Sequence, residues 1–256
     1  MDNLWIQLFY VLAIFAVGVI GGRIPGRSNR AEGGGATMAL GEAFSGGVFL
    51  GAGLLHLLPD SADNFSKFVG DIDFPFASLV AGLGLLLILL FDHAASSKAA
   101  DGETETTPDQ APILLFLVLS IHSVIAGAAL GLEGAGVASM AIFIAILAHK
   151  GSAGFALGIA LVNGGVPEAR RNRTVLLFAI MTPLGVGLGT FLASAFTGET
   201  DIIFEAFFDA LAAGTFLYIT AFDILPKAMK SGSSPWIQWV MASIGFGMMA
   251  LIAIWA

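Results

Sequence analysis

Two histidines carry the chemistry most open to reading. His122 begins the run His122-Ser-Val-Ile-Ala-Gly-Ala-Ala-Leu-Gly131, and His149 begins His149-Lys-Gly-Ser-Ala-Gly-Phe-Ala-Leu-Gly158. Both fit His-x-x-x-Ala-Gly-x-Ala-Leu-Gly. Alanine, glycine and leucine abound in this chain, but it has only 4 histidines, so the matched pair is the informative part. Neutral imidazole is the commonest side-chain metal ligand, and two at one depth could share an ion. The plainer alternative is a hydrogen bond between neighbouring helices. Lys150 follows His149 directly. An ammonium group far from water needs an anionic partner or must give up its charge; Asp209, or less directly Asp223, is the candidate partner.

Two further segments frame this pair. His56-Leu-Leu-Pro-Asp60 and Asp223-Ile-Leu-Pro226-Lys227 each place an ionisable residue three positions before a proline. As function, His56 with Asp60 forms an outer mouth for a cation and Asp223 an inner one. As structure, each is the end of a helix with an interfacial polar residue. Asp209 is an intermediate station, and Ser123 can assist the two histidines. Thr182-Pro183 predicts a kink whose freed carbonyls face a pathway or another helix.

The elements that must hold these residues follow from composition. Of 256 residues, 57% are apolar and 12% charged, against roughly 25% charged in soluble proteins. The mean hydropathy is +0.88. The solvent is therefore a bilayer, and lipid is the first partner. Eight apolar stretches run approximately over 5–22, 38–58, 76–91, 111–132, 136–162, 174–196, 202–225 and 236–255. Each approaches the ~20 residues a membrane helix needs, with the third the shortest. The fold class is all-α, a single membrane bundle of eight helices over residues 1–256, with a polar linker at about 92–110. Glycines at four-residue spacing (Gly47/Gly51, Gly127/Gly131, Gly154/Gly158, Gly185/Gly189) let helices approach closely. The first stretch reads as a retained helix, since Asp2 gives it an acidic flank and no cleavage site follows.

Nine of the eleven basic residues fall in alternate loops: Arg23, Arg27, Arg30, Lys98, Arg170, Arg171, Arg173, Lys227 and Lys230. Opposite them lie Asp60, Asp63, Asp71, Asp73, Glu133, Glu199, Asp201 and Glu205. The positive-inside rule puts both termini outside the cytosol. There are no cysteines, which excludes thiolate sites and disulfides. No basic character points to nucleic acid, and no metalloprotease motif, nucleophile elbow or phosphate loop points to an enzyme.

At these segments the chain resembles the ZIP (Zrt-, Irt-like protein) family of divalent-metal transporters. The resemblance rests on Phe44–Asp60, His122–Gly127, His149-Lys150 with the Ala-Leu-Gly that follows, Met181–Gly187 and Ala213–Ile219. It implies eight helices with external termini, and import of zinc, or of iron or manganese, through a site on the fourth and fifth helices. The ion is then cargo, and no cofactor is permanently bound. A plasma membrane or bacterial inner membrane is the expected location, and a homodimer is left open. Two departures stand out. The family often has an acid four residues after the first histidine, where this chain has Ala126. It often has Glu or His four after the second, where this chain has Ala153. The second-metal position beside His149 holds Lys150, whose ammonium can stand in for a second cation. The alternative reading is therefore a protein of this fold whose metal transport is lost or altered, as a sensor, an assembly subunit or a proton pathway.

Overall fold

The computed structural model describes residues 2–28, 34–70, 72–100, 111–133, 137–192, 200–230 and 234–254. Arg30, Asp71, Glu199 and residues 101–110 of the polar linker lie outside the described residues. Apart from short connections such as 72–75 and 164–167, the described residues are helical, with no strand among them. The helices are α1 (Asp2–Ser28), α2 (Gly34–Ala52), α3 (Leu58–Val69), α4 (Phe76–Ala100), α5 (Ala111–Glu133), α6 (Val137–Asn163), α7 (Glu168–Leu192), α8 (Thr200–Tyr218), α9 (Leu225–Lys230) and α10 (Pro235–Ile252). Seven segments are long and apolar enough to cross a membrane, and the eighth, Phe76–Leu90, is shorter. The third stretch is thus the shortest, as expected. Its helix runs on to Ala100, so the first part of the 92–110 linker is helical.

The helices at the two proline motifs continue instead of ending. A π-helical turn over Gly53–Leu57 joins α2 to α3, and another over Ile219–Ile224 joins α8 to α9. Each stands just before a Leu-Pro pair. The amide of Leu58 donates to the Gly53 carbonyl, and that of Leu225 to Thr220. The wider turn absorbs the amide that proline withholds and lets one rod pass through. Such turns collect at functional sites, and these hold His56 and Asp223. The terminator reading of the two motifs is therefore corrected. Helix α3 stops at Gly70, whose φ of 66° few other residues adopt.

The helices fall into two groups. In one, α1, α5, α6 and α7 pack together; in the other, α2 with α3, α4, α8 with α9, and α10. Contacts between the groups are sparser and run mainly through α2 with α6 and α5 with α8. Within each group glycine sets the approach. A Cβ on Gly127 would strike the Thr182 carbonyl, and one on Gly185 the Val124 carbonyl, so α5 and α7 lie backbone to backbone. Gly47 and Gly245 do the same for α2 and α10. Lipid gives no hydrophobic drive between helices, so such close packing is what holds them. Leu83, Leu90, Ile144, Leu188 and Phe191 are exposed on the outer faces, where acyl chains meet them. Trp5, Trp236 and Trp239 are exposed near helix ends, as interfacial anchors are.

This packing predicts that Gly185→Ala lowers stability by about 1–3 kcal/mol, because backbone cannot yield as a side chain can. Gly187 has open space beside it, so Gly187→Ala leaves stability unchanged or slightly raised. Thermal unfolding of the two variants in detergent checks both.

Candidate metal site

His122 lies midway along α5 and His149 midway along the antiparallel α6. Both are buried, at 5% and 4% exposure. Their Nε2 atoms are 3.5 Å apart. That is long for a nitrogen-to-nitrogen hydrogen bond, whose usual length is near ~3 Å. It is close to the edge of a tetrahedral zinc site, about 3.3 Å when each nitrogen is ~2.05 Å from the ion. The pair thus already has the spacing that one shared ion requires.

A third imidazole stands nearby. The His56 and His149 ring centroids are 6.5 Å apart, and those of His122 and His149 are 5.5 Å apart. His56 Nδ1 lies 2.8 Å from Asp60 Oδ2, one turn along the same rod. The approach is close but off the ring N–H direction, so it is an electrostatic contact and not a hydrogen bond.

All three histidines line one cavity of about 260 Å³, with Asp60, Asp63, Asn64, Ala126, Glu205 and Asp209 among its other walls. The two helix groups share it: α5 and α6 supply His122 and His149, while the α2–α3 rod and α8 supply His56 and the acids. The cavity reaches the acidic side of the molecule, where Asp60 is 42% exposed. On the cytosolic side of the histidines the buried rings of Phe49 and Phe216 pack 4.9 Å apart, and Phe216 meets His122 edge-on at 5.0 Å. The cavity thus meets the surface at Asp60, and the buried Phe49–Phe216 pair lies on its other side. Among the described residues no three His, Asp or Glu side chains already close on one point. The third imidazole must approach the pair for a full site to form.

Several expectations change here. Lys150 has neither Asp209 nor Asp223 as its partner. Its ammonium donates to Ser123 Oγ at 2.8 Å and to the Phe178 carbonyl at 3.3 Å, and lies 3.7 Å from the centroid of the Phe178 ring. Pro183 withholds the amide that the Ala179 carbonyl would use, yet α7 runs on as one helix through it. The Lys150 stem lies against Gly18 of α1, where an added Cβ would come 3.2 Å from Cε. Ser123, expected to assist the metal, is one residue round the helix from His122, does not line the cavity and serves the lysine instead. Asp209 does line the cavity. Asp223 is remote from it and pairs with Lys227, one turn on. The two π turns therefore carry matching i,i+4 pairs, His56–Asp60 outside and Asp223–Lys227 inside.

The two missing acids are not equivalent. Ala126 lines the cavity with His122, whereas Ala153 belongs to the apolar core, 4% exposed. One buried acid away from the cavity escaped the sequence reading: Glu42 of α2, at 8% exposure and within electrostatic range of Lys227 and Asp223. The signal was present, since an acid inside an apolar stretch is costly and needs a reason.

Comparison with known proteins bears on this geometry. A family model described as ZIP zinc transporter matches residues 3–112 and 96–253. The chain belongs to the ZIP family. Zinc transporter ZIP2 of Mus musculus is 31% identical over 83% of this chain and 84% of its own length. Zinc transporter ZIP1 of Danio rerio is 30% identical over 85% of each. Zinc transporter 3 of Arabidopsis thaliana is 27% identical over 84% of this chain and 73% of its own. This ZIP-family chain is a multi-pass membrane protein of the transporter class, not an enzyme.

If Lys150 serves Ser123 and Phe178, its charge opposes an ion at the histidines. Lys150→Met then tightens zinc binding about tenfold, the sign following from loss of a like charge in a medium of low dielectric. Ser123→Ala leaves affinity unchanged. Isothermal titration of the purified variants checks both.

Proposed function

We propose that this ZIP-family chain carries zinc, with iron(II) or manganese(II) as alternative cargo, from its acidic side into the cytosol. His122, His149 and His56 hold the ion midway. The observation that carries the reading is the 3.5 Å separation of two buried imidazole nitrogens in a cavity rimmed by carboxylates. Zinc usually takes four ligands. His56 supplies a third, and Asp209 or water a fourth.

Charge is the main difficulty, because imidazoles leave the ion's two positive charges in place. Asp60, Asp63, Glu205 and Asp209 face the same cavity. Away from bulk water their attraction is much stronger than at a surface. The negative charge absent at position 126 is thus supplied from the opposite helix group, which argues against the reading of lost transport.

Release follows from where the ligands sit. His122 and His149 belong to one helix group, and His56 and Asp209 to the other. Relative motion of the groups can close the cavity, complete the site and then part Phe49 from Phe216, exposing the ion to Asp223 and Glu42. That is alternating access built on two bundles. Its two discrete states are an open outer mouth with a sealed inner one, and the reverse.

Zinc uptake by cells expressing the chain tests the reading. Wild type raises uptake above background. His122→Ala with His149→Ala lowers it at least about tenfold, since even outer-shell changes at metal sites cost ~10–100-fold. Equal uptake by both proteins overturns the assignment. A finer outcome separates the two alanines: Ala126→Glu tightens zinc binding, whereas Ala153→Glu costs stability with no gain in affinity, because it buries an unpaired acid.

A further inference from the structure

A second polar cavity, of about 250 Å³, lies at the opposite end of the molecule from the acidic mouth. It is walled by Arg23 and Arg27 of α1 and by Glu168, Arg171 and Asn172 of α7, with Gly22 and Gly26 between them. We propose that it binds the phosphate group of an anionic membrane lipid at the cytosolic interface.

Three guanidinium groups face one carboxylate, so the cavity favours an anion. Arg23 Nε is buried and makes no hydrogen bond, although a donor withdrawn from water normally has an acceptor. Gly26 keeps the space open: a Cβ there would come within 2.9 Å of the Arg171 guanidinium. Arginine clusters recognise phosphate because the planar fork matches its oxygens. The helix ends that form the cavity are those with the excess of basic residues, which is the cytosolic side. Basic pockets between helices on that face suit lipid headgroups.

A lipid fits better than free phosphate because of what adjoins the cavity. Ile20 and Ile24 on α1, and Leu176 and Leu177 on α7, are exposed within two turns of it. They offer acyl chains a path into the bilayer once the headgroup is seated. The site bridges α1 and α7, so an occupied site braces the group of helices that carries His122 and His149.

Native mass spectrometry of the delipidated full chain in detergent tests this, with phosphatidylglycerol and phosphatidylcholine added at equal concentration. Wild type is expected to bind the first lipid about tenfold more tightly as phosphatidylglycerol. Arg23→Gln with Arg171→Gln is expected to abolish the preference, and Arg27→Gln, at an exposed position, to weaken it without disturbing the fold. Arg170→Gln with Arg173→Gln, on the same face but outside the cavity, is expected to keep it. A preference that survives the first pair, or that the control pair loses equally, overturns the proposal. A third arm adds inorganic phosphate to wild type. Competition at millimolar phosphate without retained lipid preference assigns the cavity to the free anion and overturns the lipid as its source.

Discussion

Two imidazole nitrogens 3.5 Å apart in the middle of a bilayer constrain everything around them. To hold them there, α5 and α6 must run antiparallel with their midpoints at one level. Each must also be fixed against a neighbour closely enough that its rotation cannot drift. Glycine does this fixing: α5 lies against α7 through Gly127, Gly131, Gly185 and Gly189, and α6 against α1 through Gly21, Gly22, Gly154 and Gly158. The small residues that look like filler in the composition thus locate the two rings.

The same pair of rings divides the molecule's labour. One helix group carries the two histidines that meet, and the other carries His56 on its π turn, Asp60 beside it and Asp209, all lining the same cavity. In the transport cycle proposed above, a site divided between the groups lets ion binding favour one relative position of the two over another. The π turns suit the role. Each sits in a continuous rod, so movement at one end is passed along the helix without a loop to absorb it. The Lys150 amino group sits beside the site, seated by Ser123, the Phe178 carbonyl and the Phe178 ring.

Much of this was legible from residue types and spacing. Hydropathy and the alternation of basic loops gave the spans and their order, because bilayer thickness and charge asymmetry act on local sequence. The paired histidine motif picked out two rings that the fold brings together, because rarity made its recurrence informative. What the sequence could not reveal depended on rotation about helix axes. Ser123 and His122 are neighbours in the chain yet face different surroundings. Ala126 and Ala153 hold equivalent motif positions, but only one meets the cavity. Lys150 satisfies its charge with a hydroxyl, a carbonyl and an aromatic face, none of which a search for opposite charges finds. Pro59 and Pro226 read as helix ends because a π turn can be recognised only once the backbone is seen.

The central claim concerns what surrounds the ion. X-ray absorption spectroscopy of the zinc-loaded protein in lipid nanodiscs measures that directly. The account predicts a first shell dominated by nitrogen at ~2.0–2.1 Å, with the outer-shell scattering of two to three imidazole rings. That scattering should be lost when His122 and His149 are both replaced by alanine. A shell made only of oxygen, unchanged by that replacement, would place the ion among the carboxylates of the mouth and leave the paired histidines without their role.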